Sequence, residues 1–269
     1  RVINIGLGYK GEFGDWTVDV KGSFTDGRVD FDALYSTTNP VDANTFASGY
    51  LTEASTAFNT PTATVTRLGY AIGGTGGASV YNPFAASGLV VSAQYRAIAS
   101  DFYSAQGDFR ITRDFDTGLG THSVAAGLYG SLYGTEFDMR FQDNLFELAT
   151  QPRTLDLIAY SATGQILGYV TDKGVLRYST TITAGESDAS VWAVYLNDTW
   201  QVTDQLRIDA GVRHERYVFK GFGVGQATVN LGDPTTLADN STRAYTGVIS
   251  NRTVKEDVTP WTIGANFDI

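Results

Sequence analysis

Cysteine is absent from the 269 residues, methionine occurs once and histidine twice. Disulfide staples and thiolate metal sites are therefore excluded, and imidazole chemistry has almost no material. No run of about 18 apolar residues occurs, which excludes a membrane-spanning helix. A spanning β-strand needs only about 9 to 11 residues, half of them apolar, so a mean hydropathy of -0.12 does not decide against a membrane. Basic residues are also few. The 19 Lys and Arg against 29 Asp and Glu leave a formal charge of -10, and the cations are scattered, which excludes a nucleic-acid partner. A signal peptide and an initiator Met are missing too: the chain opens on Arg1-Val2-Ile3-Asn4 inside an alternating pattern, and both ends are expected to cut through a larger protein.

What is present is 30 Gly and 13% aromatic residues, a balance that suits many glycine-punctuated strands. Residues 1–10 alternate Ile3, Ile5, Leu7 and Tyr9 with Asn4, Gly6, Gly8 and Lys10. After Gly11-Glu12-Phe13-Gly14, Trp16, Val18, Val20 and Phe24 alternate with Thr17, Asp19, Lys21 and Ser23, completing a hairpin. A second hairpin turns at 116–120, between Phe109, Ile111 and Phe115 on one side and Val124, Ala126, Leu128 and Leu132 on the other. Arg113 falls on its apolar face, close to the turn, where a charge costs about 0 to 1 kcal/mol at a membrane interface. A third hairpin joins 189–202 to 206–219, and the last strand alternates Trp261, Ile263, Ala265, Phe267 and Ile269 with polar residues and glycine. In 191–196 both faces are apolar, so the pattern does not assign the face that meets lipid.

Tight turns at 11–14, 116–120 and 203–205 alternate with long segments at 27–103, 134–188 and 221–257, whereas compact soluble β domains keep most connections short. Outer-membrane barrels combine short periplasmic turns with long extracellular loops. The expected fold is all-β, an antiparallel transmembrane β-barrel segment with seven spanning strands as a minimum, an odd number that does not close a bacterial barrel. Segment 88–99 also alternates; it either pairs with a strand near Thr64–Ile72 or is the upper part of one long strand running toward 115.

Trp192-Ala193-Val194-Tyr195-Leu196-Asn197-Asp198-Thr199-Trp200-Gln201-Val202-Thr203-Asp204, followed by Leu206-Arg207-Ile208-Asp209-Ala210-Gly211-Val212-Arg213, resembles the TonB-dependent receptor barrel. Thr117–Gly127 and Trp261–Phe267 are similar to it in the expected order. The resemblance implies about 7 to 9 strands of a barrel of about 22. It also implies TonB-energised uptake of a scarce solute, an iron chelate such as a siderophore, a cobalamin or an oligosaccharide, across a Gram-negative outer membrane. Outer-membrane lipid, a plug domain and the TonB energy-coupling complex would be the partners. No plug domain, energy-coupling box or terminal aromatic assembly signal is found in residues 1–269, so active transport is expected of the parent chain.

Arg207, Asp209, Arg213 and Glu215 share one strand face and are expected to line the lumen. Trp16, Trp200 and Trp261 stand near turns or strand ends, as an aromatic girdle would. Gly211 is expected to make room for a bulky neighbour. His122 and His214 lack carboxylates at ligand spacing, and His122-Ser123 cannot form a catalytic pair because adjacent strand residues point to opposite faces. No enzyme, cofactor or metal site is expected. Gly73-Gly74-Thr75-Gly76-Gly77 lacks the Lys and the strand-to-helix setting of a phosphate loop. The three long segments, with Tyr35, Tyr50, Tyr160 and Tyr169, are expected to present the ligand surface. Rival readings are a passive porin or adhesin barrel, without a plug, and a soluble carbohydrate-binding β-sandwich, whose apolar face a second sheet would cover.

Overall fold

The computed structural model describes residues 1–268; Ile269, which the alternation puts on the apolar face of the last strand, lies outside the described residues. The elements in order are β1 (Val2–Phe13), β2 (Trp16–Ser36), β3 (Val41–Asp42), helix α1 (Ala43–Phe58), β4 (Arg67–Ile72), β5 (Val80–Tyr81), a 3-10 turn (Pro83–Ala85), β6 (Leu89–Thr117), β7 (Gly120–Glu147), β8 (Leu155–Tyr160), β9 (Ile166–Tyr169), β10 (Val175–Gln201), β11 (Leu206–Val229), β12 (Thr242–Val258) and β13 (Trp261–Phe267). The long strands form an antiparallel meander in the order β1-β2-β6-β7-β10-β11-β12, with β13 on the turn end of β11. β12 and β13 keep one register against β11, Glu215 facing Val258 and Val212 facing Trp261. Between them the Arg213 N–H donates to the Pro260 carbonyl at 3.0 Å. They are one strand interrupted at Pro260, which has no N–H for a ladder. The sheet therefore crosses seven times, its edges β1 and β12–β13 are unpaired among the described residues, and the barrel is not closed.

The hairpin turns fall where the alternation breaks, at Gly14-Asp15, Gly118-Leu119 and 202–205. The long connections are shorter than expected: they run 37–88, 148–174 and 230–241, in place of 27–103, 134–188 and 221–257. Of the segment 88–99, residues 89–99 are the upper part of β6, paired with both β2 and β7, and Arg67–Ile72 pairs instead with β8 in a separate four-stranded sheet. Strands of 27 to 29 residues result, roughly 90 Å long at about 3.3 Å per residue. That is far more than a bilayer requires.

The connections fold into a lobe with its own core. Ala43, Ala47, Ala54 and Phe58 line one side of α1, whose N-terminus is capped by Asp42 accepting the Thr45 N–H at 2.9 Å. That side packs on Tyr70, Leu155, Leu157 and Val170, and on Leu237 from the third connection. Val90, Leu145 and Leu176, at the upper ends of β6, β7 and β10, root the lobe in the sheet.

Candidate functional site

Directly opposed residues of an antiparallel ladder share a face, so the register sorts every side chain of the sheet. The Leu128 face carries Ile3, Ile5 and Leu7 on β1, then Val18, Val20 and Phe24, then Phe109 and Ile111, then Val124, Ala126 and Leu132. It continues through Val194 and Leu196, Ile208 and Val212, to Ile263 and Phe267. The ambiguity in 191–196 is thereby resolved: Trp192, Val194 and Leu196 belong to this face. Ile3, Leu128 and Ile263 are exposed and Val18 and Ile208 partly so, with no helix or second sheet laid over them among the described residues. An open sheet with such a face does not fit a sandwich, in which a second sheet would bury it.

Further from the hairpin turns the two faces exchange character. The Leu128 face becomes charged, with Asp26, Arg28, Asp30 and Asp32 on β2, Asp101 on β6, Glu136, Asp138 and Arg140 on β7, and Glu186 and Asp188 on β10. The opposite face becomes apolar over the same stretch, with Val29, Phe31, Ile98, Phe102, Phe137, Met139 and Phe141. The apolar band on β2 spans Trp16 to Phe24, about nine residues, or about 20 to 25 Å of height for a strand tilted near 45°. Its charged border slopes. On β11 it is reached at Arg216, four residues nearer the turns than Lys220, which shares the rung of Asp26, as tilted strands require.

All four tryptophans stand on the Leu128 face, near the borders of this band. Trp16 and Trp200 are on the turn side, Trp192 and Trp261 on the loop side. Trp200 stacks on His122 at 5.2 Å and His122 on Phe115 at 5.5 Å, while the His122 Nδ1 lies 2.7 Å from Asp198. Arg113, on this face at the rung of Trp16, pairs with Asp15 at 3.1 Å and lies 5.4 Å from the centre of the Trp16 ring. His214 contacts Thr259 at 2.9 Å in another hairpin, and Ser123 is on the far face. Among the described residues no three His, Asp or Glu are grouped to hold a metal.

Arg207, Asp209, Arg213 and Glu215 project together from the other face of β11, in two neighbouring ion pairs of 3.1 and 2.7 Å. Asp209 also accepts the Thr199 hydroxyl at 2.9 Å, and Arg213 lies over the Tyr129 ring at 5.1 Å. The Tyr195 hydroxyl donates to Asp108 at 3.2 Å, and its ring lies over Gly127, where a Cβ would come within 2.2 Å of it. Gly211 makes room for the Asn197 carboxamide, which is no large neighbour. Higher on this face Arg96 lies between the rings of Tyr35 and Phe141, 4.4 Å from each.

Three of the four expected surface tyrosines hold the lobe together. Tyr160 is buried under Arg67, Tyr50 packs against the core, and the Tyr169 hydroxyl donates to the Gly76 carbonyl at 3.2 Å. Gly73–Gly77 is a turn held by Asp156, whose buried carboxylate also accepts the Gly174 N–H at 2.7 Å and the Thr171 hydroxyl at 3.1 Å. Where the lobe leaves β7, hydrogen bonds from Arg153, at 2.6 and 2.8 Å, hold the buried Glu147 carboxyl below the usual range. A depressed carboxyl stabilises the fold above its unfolded pKa, about 4.3, and that contribution is lost as the pH falls through the folded value. Acidification below about pH 4 is therefore expected to release the 148–153 connection, read as faster hydrogen exchange at the Arg153 amide, which also bonds Glu147.

No protein-family model matches the chain, and no curated protein matches it. Among solved structures it is similar to the siderophore receptor PiuA from Acinetobacter baumannii, at 13% identity and a TM-score of 0.49, covering 99% of this chain and 29% of that one. The ferric-catecholate import receptor Fiu from E. coli K12 is similar in its closed form, at 8% identity and a TM-score of 0.26, over 100% of this chain and 44% of that one. The chain thus spans less than half the length of either of these proteins.

Proposed function

We propose that this chain is a wall segment of an outer-membrane barrel that takes up a small solute, belonging to a receptor of the TonB-dependent kind. The exchange of polarity along the strands carries this reading. A soluble sheet gains nothing from a belt of exposed apolar side chains about nine residues tall, bordered by tryptophans and then by carboxylates on the same face. A bilayer requires that sequence of surfaces. The Leu128 face meets acyl chains, Trp16, Trp200, Trp192 and Trp261 lie at the headgroups, and the paired Arg207, Asp209, Arg213 and Glu215 line the lumen against a plug from the parent chain. The strand extensions and the lobe then stand outside the cell, where solute arrives. The likeness of 192–213 to the receptor barrel supports uptake over passive diffusion.

In bilayers containing lipids brominated along the acyl chain, the fluorescence of all four tryptophans is expected to be quenched, those at the headgroups more by shallow than by deep bromines. Emission indifferent to bromine would remove the membrane assignment.

A further inference from the structure

Above the charged border, on the face that carries Arg213, three successive rungs across β7, β10, β11 and β12 outline a depression. They read Tyr133–Ala189–Phe219–Val254, Thr135–Ser187–Gly221–Arg252 and Phe137–Gly185–Gly223–Ser250. The middle is floored by Gly185, Gly221, Gly223 and Ser187, with Phe137 and Phe219 at opposite corners and Arg252 at the rim; its volume is about 280 Å³.

The glycines need an explanation, because a glycine inside a strand weakens it. None of the three has a positive φ. At Gly185 and Gly221 crowding supplies a reason, since a Cβ would lie 2.6 Å from the Phe222 carbonyl and 3.0 Å from that of Glu186. At Gly223 a Cβ would meet nothing within 4 Å, so neither backbone shape nor packing calls for glycine there. What its absence of side chain preserves is the space above it. Arg252 is a second independent observation: Arg207 and Arg213 on the same face are held by Asp209 and Glu215, whereas Arg252 is exposed and unpaired among the described residues.

We propose that this depression binds a flat aromatic group bearing a carboxylate. The ring lies on the bare backbone of Gly185, Gly221 and Gly223 between Phe137 and Phe219. The carboxylate meets the Arg252 guanidinium, which is shaped for two parallel hydrogen bonds to it, and the hydroxyls of Thr135, Ser187 and Ser250 are placed for polar ring substituents. The volume admits one or two fused rings, a moiety of a solute and not a large chelate entire. The inference rests on the uptake reading, which makes this face the one a solute from outside encounters.

The test titrates the full chain, in bilayers, with 2-naphthoate and with its uncharged isostere 2-naphthamide, followed by fluorescence anisotropy. Naphthoate is expected to bind about tenfold or more tightly than the amide. Arg252→Gln is expected to abolish that difference and Arg252→Lys to keep part of it. Gly223→Val, whose Cβ meets no atom within 4 Å, is expected to remove naphthoate binding while leaving the circular dichroism spectrum unchanged. Equal affinity for acid and amide in the wild type, no binding of either, or binding indifferent to Gly223→Val overturns the proposal. If these failures occur while the tryptophans are quenched by brominated lipid, the depression is not a binding site and the membrane reading stands; unquenched tryptophans sink the membrane reading itself.

Discussion

Leu128→Arg is expected to destabilise the membrane-inserted chain by about 2 to 4 kcal/mol, the cost of an arginine near the middle of a lipid-facing barrel wall. Leu128 is 56% exposed and shares its rung with Phe109 and Val194, so the guanidinium would have only apolar neighbours and lipid. Ser131→Arg, three residues along the same strand, provides the comparison. Ser131 stands on the opposite face between Gln106 and Val191, where the lumen supplies water, and its substitution is expected to cost less than about 1 kcal/mol. Urea unfolding from phosphatidylcholine vesicles measures both. Equal costs would mean that the two faces see the same solvent, and the assignment of lipid and lumen would fail.

The second large effect concerns the lobe. Leu157→Ala is expected to cost about 2 to 5 kcal/mol, since Leu157 is completely buried among Tyr70, Val170 and Leu237 and its removal leaves a cavity. The lobe's core is set apart from the apolar band of the wall; its apolar contacts with the sheet lie at the strand ends, at Val90, Leu145 and Leu176, beside the ion pair of Arg177 with Glu53. The loss should therefore appear as local opening. Hydrogen exchange is expected to quicken in β4, β8 and β9 while the amides of Val124 to Leu132 remain protected. Loss of protection across both regions at once would show that the lobe and the wall unfold as one unit.

The sequence by itself determined the half of the sheet nearest the hairpin turns. Most strands there alternate, one side chain in two apolar and the next polar or glycine, and each turn announces itself where that alternation breaks. It also determined that Arg207, Asp209, Arg213 and Glu215 share a face, which follows from spacing alone. The upper halves of the strands were not legible as strands, for a physical reason: beyond Phe24, Tyr103 and Leu132 the alternation continues with its faces exchanged, so a reading anchored on the lipid-facing phase stops there and takes the remainder for loop. Only pairing decided the face of Trp192, Val194 and Leu196, since their sequence neighbours Val191 and Ala193 are apolar too. Only the tertiary structure brought Phe58, Tyr70, Leu157 and Leu237 into one core, because they come from three connections far apart in the chain and no local period links them. The depression at Gly223 belongs to the same class. Its floor and rim are drawn from four strands, and a bare glycine is informative only once its neighbours across the ladder are known.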